Sequence, residues 1–284
     1  MDNSLDCIPC LLRQSLEAAR FVTGDRAVHE QVLRHILQRS LELDLSRPPP
    51  FIGQAIHRKL RELTCDPDPY RQAKSRFNEL AMDFLPSLED MVKVSADPMC
   101  AAVRLAISAN VIDLGANGSL SDDEVREALE NSFDQPFVGE LDTFRQAVTD
   151  ATNILYLADN AGEIAVDRLL IQELGPARVT VAVRGGPVIN DATIQDAHEV
   201  GMHDLVEVID NGSDAPGTIL DDCSEAFRER FKKAELIIAK GQGNYESLSG
   251  VQGNIFFLFK VKCPVAAGHT GLPKGTHVLI RSKA

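Results

Sequence analysis

The chain has 284 residues, 42 acidic against 29 basic, and a net charge of −13 at pH 7. That charge repels polyanions, the basic residues are scattered, Trp is absent and Tyr numbers three, so nucleic acid is not an expected partner. No stretch approaches the ~18 apolar residues of a membrane span, and the first residues lack a basic start followed by an apolar core, which predicts a soluble cytoplasmic protein with no membrane partner.

Up to about residue 150, apolar residues recur at three- and four-residue intervals, in "CLLRQSLEAARFV", "AVHEQVLRHILQRSLEL", "FIGQAIHRKLRELT", "YRQAKSRFNELAMDFLPSLEDMV" and "DPMCAAVRLAISANVIDLG". This spacing predicts amphipathic helices. Ser121 and Glu124 form a capping-box start for a further helix over "DDEVREALENSF". Strand signals are scarce, so residues 1–95 read as an all-helical subdomain and 96–284 as the binding domain.

After residue 150 short β-branched runs alternate with polar loops and amphipathic helices: "NILYLA", "RVTVAVR", "LVEVID", "AELIIAK" and "IFFLFKVKCPVAA". The alternation predicts an α/β fold, a mostly parallel doubly wound sheet flanked by helices. Ligands of such sheets bind at the carboxyl ends of the strands, where strand order reverses. Asp159, Asn160, Asp191, Asp210 and Lys240 all fall at or just beyond predicted strand ends, so residues far apart in sequence are expected to converge.

Two carboxylates and an amide carbonyl (Asp159, Asn160, Asp191) are hard oxygen ligands of the kind Mg²⁺ or Mn²⁺ prefers. Glu163, one helical turn beyond Asp159, is placed to orient a bound water or a substrate hydroxyl. A plainer account makes Asn160 and Asp191 helix caps, and spacing does not separate the two. In "RGGPVIND" (184–191) glycines let the backbone approach an anion, and in "AKGQGNYESL" (239–248) Lys240 suits a phosphate oxygen and Asn244 a sugar hydroxyl. Asn110 and Asp113, three apart in "SANVIDLG", share a helix face. No G-x-G-x-x-G, P-loop or nucleophile elbow occurs. Cys7 and Cys10 open a helix, where the dipole favours a thiolate, but they make only half a zinc site; Cys263 is a candidate third ligand if folding brings it near, though it reads better as a buried apolar cysteine.

These motifs together resemble the metal-dependent ARMT-like damage-control phosphatases, in the prokaryotic and archaeal branch with an N-terminal C-x-x-C. The resemblance rests on Cys7 and Cys10, "ANVIDLG", "ADNAGE", "RGGPVINDAT", "DNG", "KGQGNYESL" and "KCPV", and so spans nearly the whole chain. It implies a divalent ion (Mn, Mg, Co or Ni) on Asp159, Asn160 and Asp191. It further implies Lys240 and Asn244 as phosphate or substrate contacts, with Glu163, Arg184, Asn190, Asn110 and Asp113 in the same pocket. The implied activity is hydrolysis of small phosphorylated metabolites such as sugar phosphates. Two alternatives use the same residues: a non-catalytic metal or phosphometabolite binder, and an S-adenosylmethionine-dependent carboxyl methyltransferase, for which "ADNAGE" offers one glycine where more are expected.

Overall fold

The computed structural model describes residues 1–111, 127, 129 and 131–282. The helical periodicity of the first hundred residues produces α1 (Cys7–Val22), α2 (Arg26–Leu41), α3 (Pro50–Thr64), α4 (Arg71–Val94) and α5 (Pro98–Ser108). Pro50 and Pro98 open α3 and α5, where a missing N–H costs nothing. Asp25 and Asp97 cap α2 and α5 with their carboxylates. The capping box at Ser121 and Glu124, and Asp113, lie outside the described residues.

The remainder alternates: β1 (Phe137–Gly139), α6 (Leu141–Asp150), β2 (Ile154–Leu157), α7 (Glu163–Leu174), β3 (Val179–Val183), α8 (Ile194–Glu199), β4 (Glu207–Asp210), α9 (Glu225–Lys233), β5 (Leu236–Lys240), α10 (Gly241–Leu248), β6 (Ile255–Lys260), α11 (Pro264–Thr270) and β7 (His277–Arg281). The seven strands form one sheet in the order β1-β7-β6-β5-β2-β3-β4. All neighbours run parallel except β6 and β7. The five expected strands are present. β1 and β7 were not expected, since three residues of β1 carry too little pattern to read, and β7 gains its place by pairing with both β1 and β6.

Period-two alternation sends Ile154, Tyr156, Val181, Ile238 and Phe256 to one face of the sheet, under α4, α5 and α7. Leu155, Leu157, Ile237, Ala239 and Phe257 face the other way, under α9, α10 and α11. A sheet buried on both faces explains the uninterrupted apolar strands. Helices α1 to α3 close on a cluster of their own around Leu11, Val32, Ile36, Ile56 and Leu60, whereas Ala81, Leu85 and Leu88 of α4 belong to the core of the sheet. Among the described residues no helix is long and apolar enough to cross a membrane.

From β2 the chain steps outward through β3 and β4, then returns to the other side of β2 as β5 and continues to β6. Strand order therefore reverses between β2 and β5. The crevice beyond their carboxyl ends is where a ligand site is expected.

Candidate active site

Asp159 and Asn160 follow β2 directly, and Lys240 ends β5, so the reversal of strand order brings them together. The loop after β3 folds back onto them. Asn160 and Asp191 form a short antiparallel bridge, Ala161 N–H donates to Asn190 O (2.7 Å), and Ala192 N–H donates to Asp159 O (2.8 Å). Ile189, at φ 44°, is a β-branched residue in the left-handed region, a strained conformation of the kind that collects at functional sites.

The helix-cap account of Asn160 and Asp191 fails on this geometry. Gly162 is the N-cap of α7, and its helix has no side-chain cap; Thr193 is the N-cap of α8, in a reciprocal pair with Asp196. The Asn160 side chain instead donates to Asp159 Oδ2 (3.1 Å) and Glu163 Oε2 (3.0 Å), which turns its carbonyl oxygen away from both carboxylates. Asn110 reaches the same two oxygens from the end of α5, at 3.2 and 2.6 Å.

Arg184 lies across the two aspartates. Its Nε donates to Asp191 Oδ2 (2.6 Å) and its Nη2 to Asp159 Oδ1 (3.4 Å), while Nη1 donates to Asn244 Oδ1 (3.2 Å). Asn244 also accepts from Thr218 Oγ1 (2.8 Å) and donates to Lys240 O (2.7 Å), tying the ends of β3 and β5 together. Gly241 has φ 80°, and a Cβ there would come within 1.9 Å of Asp159 Oδ2, so this glycine makes room for the carboxylate.

Lys240, expected from sequence beside a phosphate oxygen, points into the layer beneath α5 and α7. Its ammonium donates to Ala106 O (2.8 Å), Glu163 Oε1 (2.7 Å) and Asp167 Oδ1 (2.5 Å). Burial works against the charged ammonium, but Asp167 and Glu163 outweigh it and hold its pKa above the ordinary lysine value. Burial likewise pushes Asp167 up to about 6, against the pull of Lys240. Asp159 is pushed well above the usual carboxylate range by burial first, then by the charges of Glu163 and Asp191, with Arg184 and Lys262 opposing.

Asp159, Asn160, Glu163, Arg184, Asn190, Asp191, Lys240, Asn244 and Asn110 thus converge as expected, and all are buried. Asp210 does not join them: it is exposed and accepts from Gly212 N–H. Asp167, Thr218, Gly241 and Lys262 were missed from sequence. The signal for Asp167 was present, since it stands four residues after Glu163 in the otherwise apolar face of "EIAVDRLLIQEL".

Four buried carboxylates (Asp159, Glu163, Asp167, Asp191) face two buried cations, Arg184 and Lys240. With all of them ionised, the buried charges of the described residues are two more negative than positive, and the half-buried Lys262, whose charge reaches Asp159, offsets part of that excess, so a further cation is favoured. Among these described residues three side-chain atoms are also buried without a hydrogen-bond partner, Asn110 Oδ1, Asp167 Oδ2 and Asn190 Nδ2. Among the described residues no set of three or more His, Cys, Asp or Glu is arranged to hold a metal ion. Asp159, Asn160 and Asp191 are a mixed set of two carboxylates and one amide. As hard oxygen donors they are of the type a divalent ion takes, and both carboxylates here address one cationic group, the Arg184 guanidinium.

Cys7 and Cys10 lie in the first turn of α1, with Cys263 near enough to act on the Cys7 thiol. Cys7 is buried at the start of α1, and burial raises its thiol above the ordinary value, so the expected thiolate stabilisation by the helix is outweighed. All six cysteines are free thiols.

The fold and site place the chain among α/β proteins with a carboxylate and amide cluster at the reversal of strand order. It belongs to the family of the damage-control phosphatase ARMT1-like domain, whose sequence model matches residues 4–278. The chain is 34% identical over 287 residues to a damage-control phosphatase of Pyrococcus horikoshii, covering 98% of this chain and 97% of that protein. It is 36% identical over 278 residues to a damage-control phosphatase of Archaeoglobus fulgidus, covering 96% of each. The crystal structure of a DUF89 family protein from Pyrococcus horikoshii superposes with a TM-score of 0.88 at 33% identity, over 100% of both chains.

Proposed function

We propose that the chain is a divalent-metal-dependent phosphatase acting on small phosphorylated metabolites, sugar phosphates among them. The phosphatase activity is supported by the damage-control phosphatases to which the chain is similar. The observation that carries the metal dependence is the excess of buried negative charge around Asp159, Asp191 and Glu163. Asp159, Asn160 and Asp191 would hold the ion. When bound, it supplies positive charge for the phosphoryl oxygens and acidifies water.

The chain's own residues set the rest. Asp159 has one oxygen engaged by Arg184 and the other by Asn110 and Asn160, and we read it as a ligand, with water as the attacking group. Water then attacks phosphorus; its oxygen stays on the phosphate, the ester P–O bond breaks, and a proton passes to the leaving alkoxide. Glu163 holds the Asn160 and Asn110 amides in place, and Lys240 holds Glu163. Asn190 Nδ2 is a free donor for a substrate oxygen. Lys262, half-buried beyond the carboxyl end of β6, has a charge that reaches Asp159, and we assign it to a phosphoryl oxygen. Phosphoryl transfer requires mainly such alignment and charge compensation.

The test is release of inorganic phosphate from a panel of phosphate esters by chelator-treated protein, with Mn²⁺, Mg²⁺, Co²⁺ or Ni²⁺ restored singly. Metal-dependent turnover is expected on at least one sugar phosphate. No release with any ion would leave the non-catalytic binder as the better reading.

A further inference from the structure

We infer that Asn78, in the helical N-terminal part of the chain, is a positioning residue for the active site; the inference rests on the metal site proposed above. Asn78 lies on α4 and is buried at 2% exposure. Its Oδ1 accepts from Gly162 N–H at 2.7 Å. Gly162 stands between Asn160 and Glu163 and is the N-cap of α7, which has no side-chain cap of its own. A helix start left without a cap needs acceptors from elsewhere, and α4 supplies one.

The orientation of this amide is fixed from its other end. Asn78 Nδ2 donates to Asp196 Oδ1 (3.1 Å) and Glu199 Oε2 (2.7 Å), and carboxylates accept only, so the amide oxygen must face Gly162. Asp196 is itself fully buried. Its Oδ2 accepts from Thr193 N–H (2.9 Å), Thr193 Oγ1 (2.6 Å) and Lys74 Nζ (3.1 Å). Thr193 follows Asp191 by two residues. One side chain on α4 is thus bonded to the loop that carries Asp159 and Asn160, and through Asp196 to the segment that carries Asp191.

The placement is costly in the way functional placements are. Lys74, Asn78, Ala81 and Leu85 all fall on the buried stripe of α4. Buried ion pairs and amides in such a stripe are often no more stabilising than apolar residues of the same size. What Asn78 and the Lys74 to Asp196 pair add is register between two loops that otherwise meet through the Asn160 to Asp191 bridge, its flanking backbone bonds and the Arg184 guanidinium. The helix α4 therefore sets the spacing of the two halves of the ligand set.

The experiment compares the full chain with Asn78→Ala and with Leu88→Ala, a core truncation on the same helix. Hydrogen–deuterium exchange of the segment 158–165, Mn²⁺ affinity by calorimetric titration and kcat on a phosphate ester are read together. Asn78→Ala is expected to speed exchange of that segment and to weaken Mn²⁺ binding by about tenfold or more, with kcat falling alongside. Leu88→Ala is expected to lower Tm at least as far while leaving exchange of 158–165 and Mn²⁺ affinity within about twofold. Should Asn78→Ala fail to fold, Glu199→Ala removes one of the two anchors of the amide from a half-exposed position and is expected to give the same changes at smaller amplitude. The inference is overturned if both readouts stay at wild-type values in Asn78→Ala, or if Leu88→Ala loses them equally. Faster exchange in Asn78→Ala together with no Mn²⁺ binding by the wild type would support the positioning by α4 and refute the metal reading instead.

Discussion

Lys240 Nζ lies 2.7 Å from Glu163 Oε1, with both side chains fully buried, so the lysine that ends β5 is bound to the first residue of α7 rather than to solvent. Asp167 completes the cluster. Removing the ammonium would leave two buried carboxylates without their counter-charge, the costly way to break a buried pair. Lys240→Met is therefore expected to lose about 3–5 kcal/mol of stability, measured by denaturant unfolding. A surface phosphate ligand at this position would instead give a variant of near wild-type stability and poor substrate binding, and that outcome would overturn the buried assignment.

Asp159 and Asp191 differ from Lys240 in that the two carboxylates share one cation, Arg184. Asp159→Asn and Asp191→Asn keep the shape of the side chain and remove one buried negative charge. Metal-dependent turnover is expected to disappear in both, while each variant keeps one carboxylate beside Arg184. Wild-type Mn²⁺ affinity in both variants would refute the ligand assignment.

Gly241→Ala is a steric test of the same carboxylate. A methyl group there meets Asp159 Oδ2, and the backbone stands at φ 80°. A displacement of about 1 Å at the reacting centre costs on the order of 100-fold in rate, so kcat/KM is expected to fall by at least about that factor. The comparison is Gly250→Ala, where nothing lies within 4 Å and activity should be unchanged.

Lys262→Met tests the phosphoryl contact. Loss of one charge-assisted hydrogen bond weakens binding by roughly 1.5–3 kcal/mol, so KM for a phosphate ester and the inhibition constant for inorganic phosphate should both rise at least about tenfold. Lys262→Arg should restore most of the loss. An unchanged inhibition constant in Lys262→Met would remove this residue from the substrate site.

Glu246 gives a pH signature independent of catalysis. Burial pushes its carboxyl up to about 7, against a hydrogen bond from Gln242. An acid with a raised folded pKa favours its neutral form in the folded state. Its contribution is complete below the ordinary glutamate pKa of about 4.3 and is lost as pH rises toward 7. Glu246→Gln should match the wild type near pH 4 and exceed its Tm above pH 7. Equal Tm values at both ends of that range would show that the carboxyl is not strained by burial.

The sequence determined the fold class and the gathering of Asp159, Asn160 and Asp191 at one edge of the sheet, because both are local in origin. Apolar runs of strand length alternating with amphipathic helices specify a parallel sheet covered on both faces, and residues just past strand ends must lie at one edge of it. "ADNAGE" and "RGGPVIND" were legible for that reason. What sequence left open was direction and partnership. Asn160 and Asp191 looked as much like helix caps as site residues until Gly162 and Thr193 were seen in the cap positions. The side of β5 from which Lys240 projects follows from its alternation with Leu236 and Ile238, but only the packing of α5 and α7 on that face decides that carboxylates await it there. The strands β1 and β7 and the bond from Asn78 to Gly162 join residues far apart in the chain. Such contacts leave no period in the sequence, because they are selected by the assembled surfaces and not by neighbouring residues.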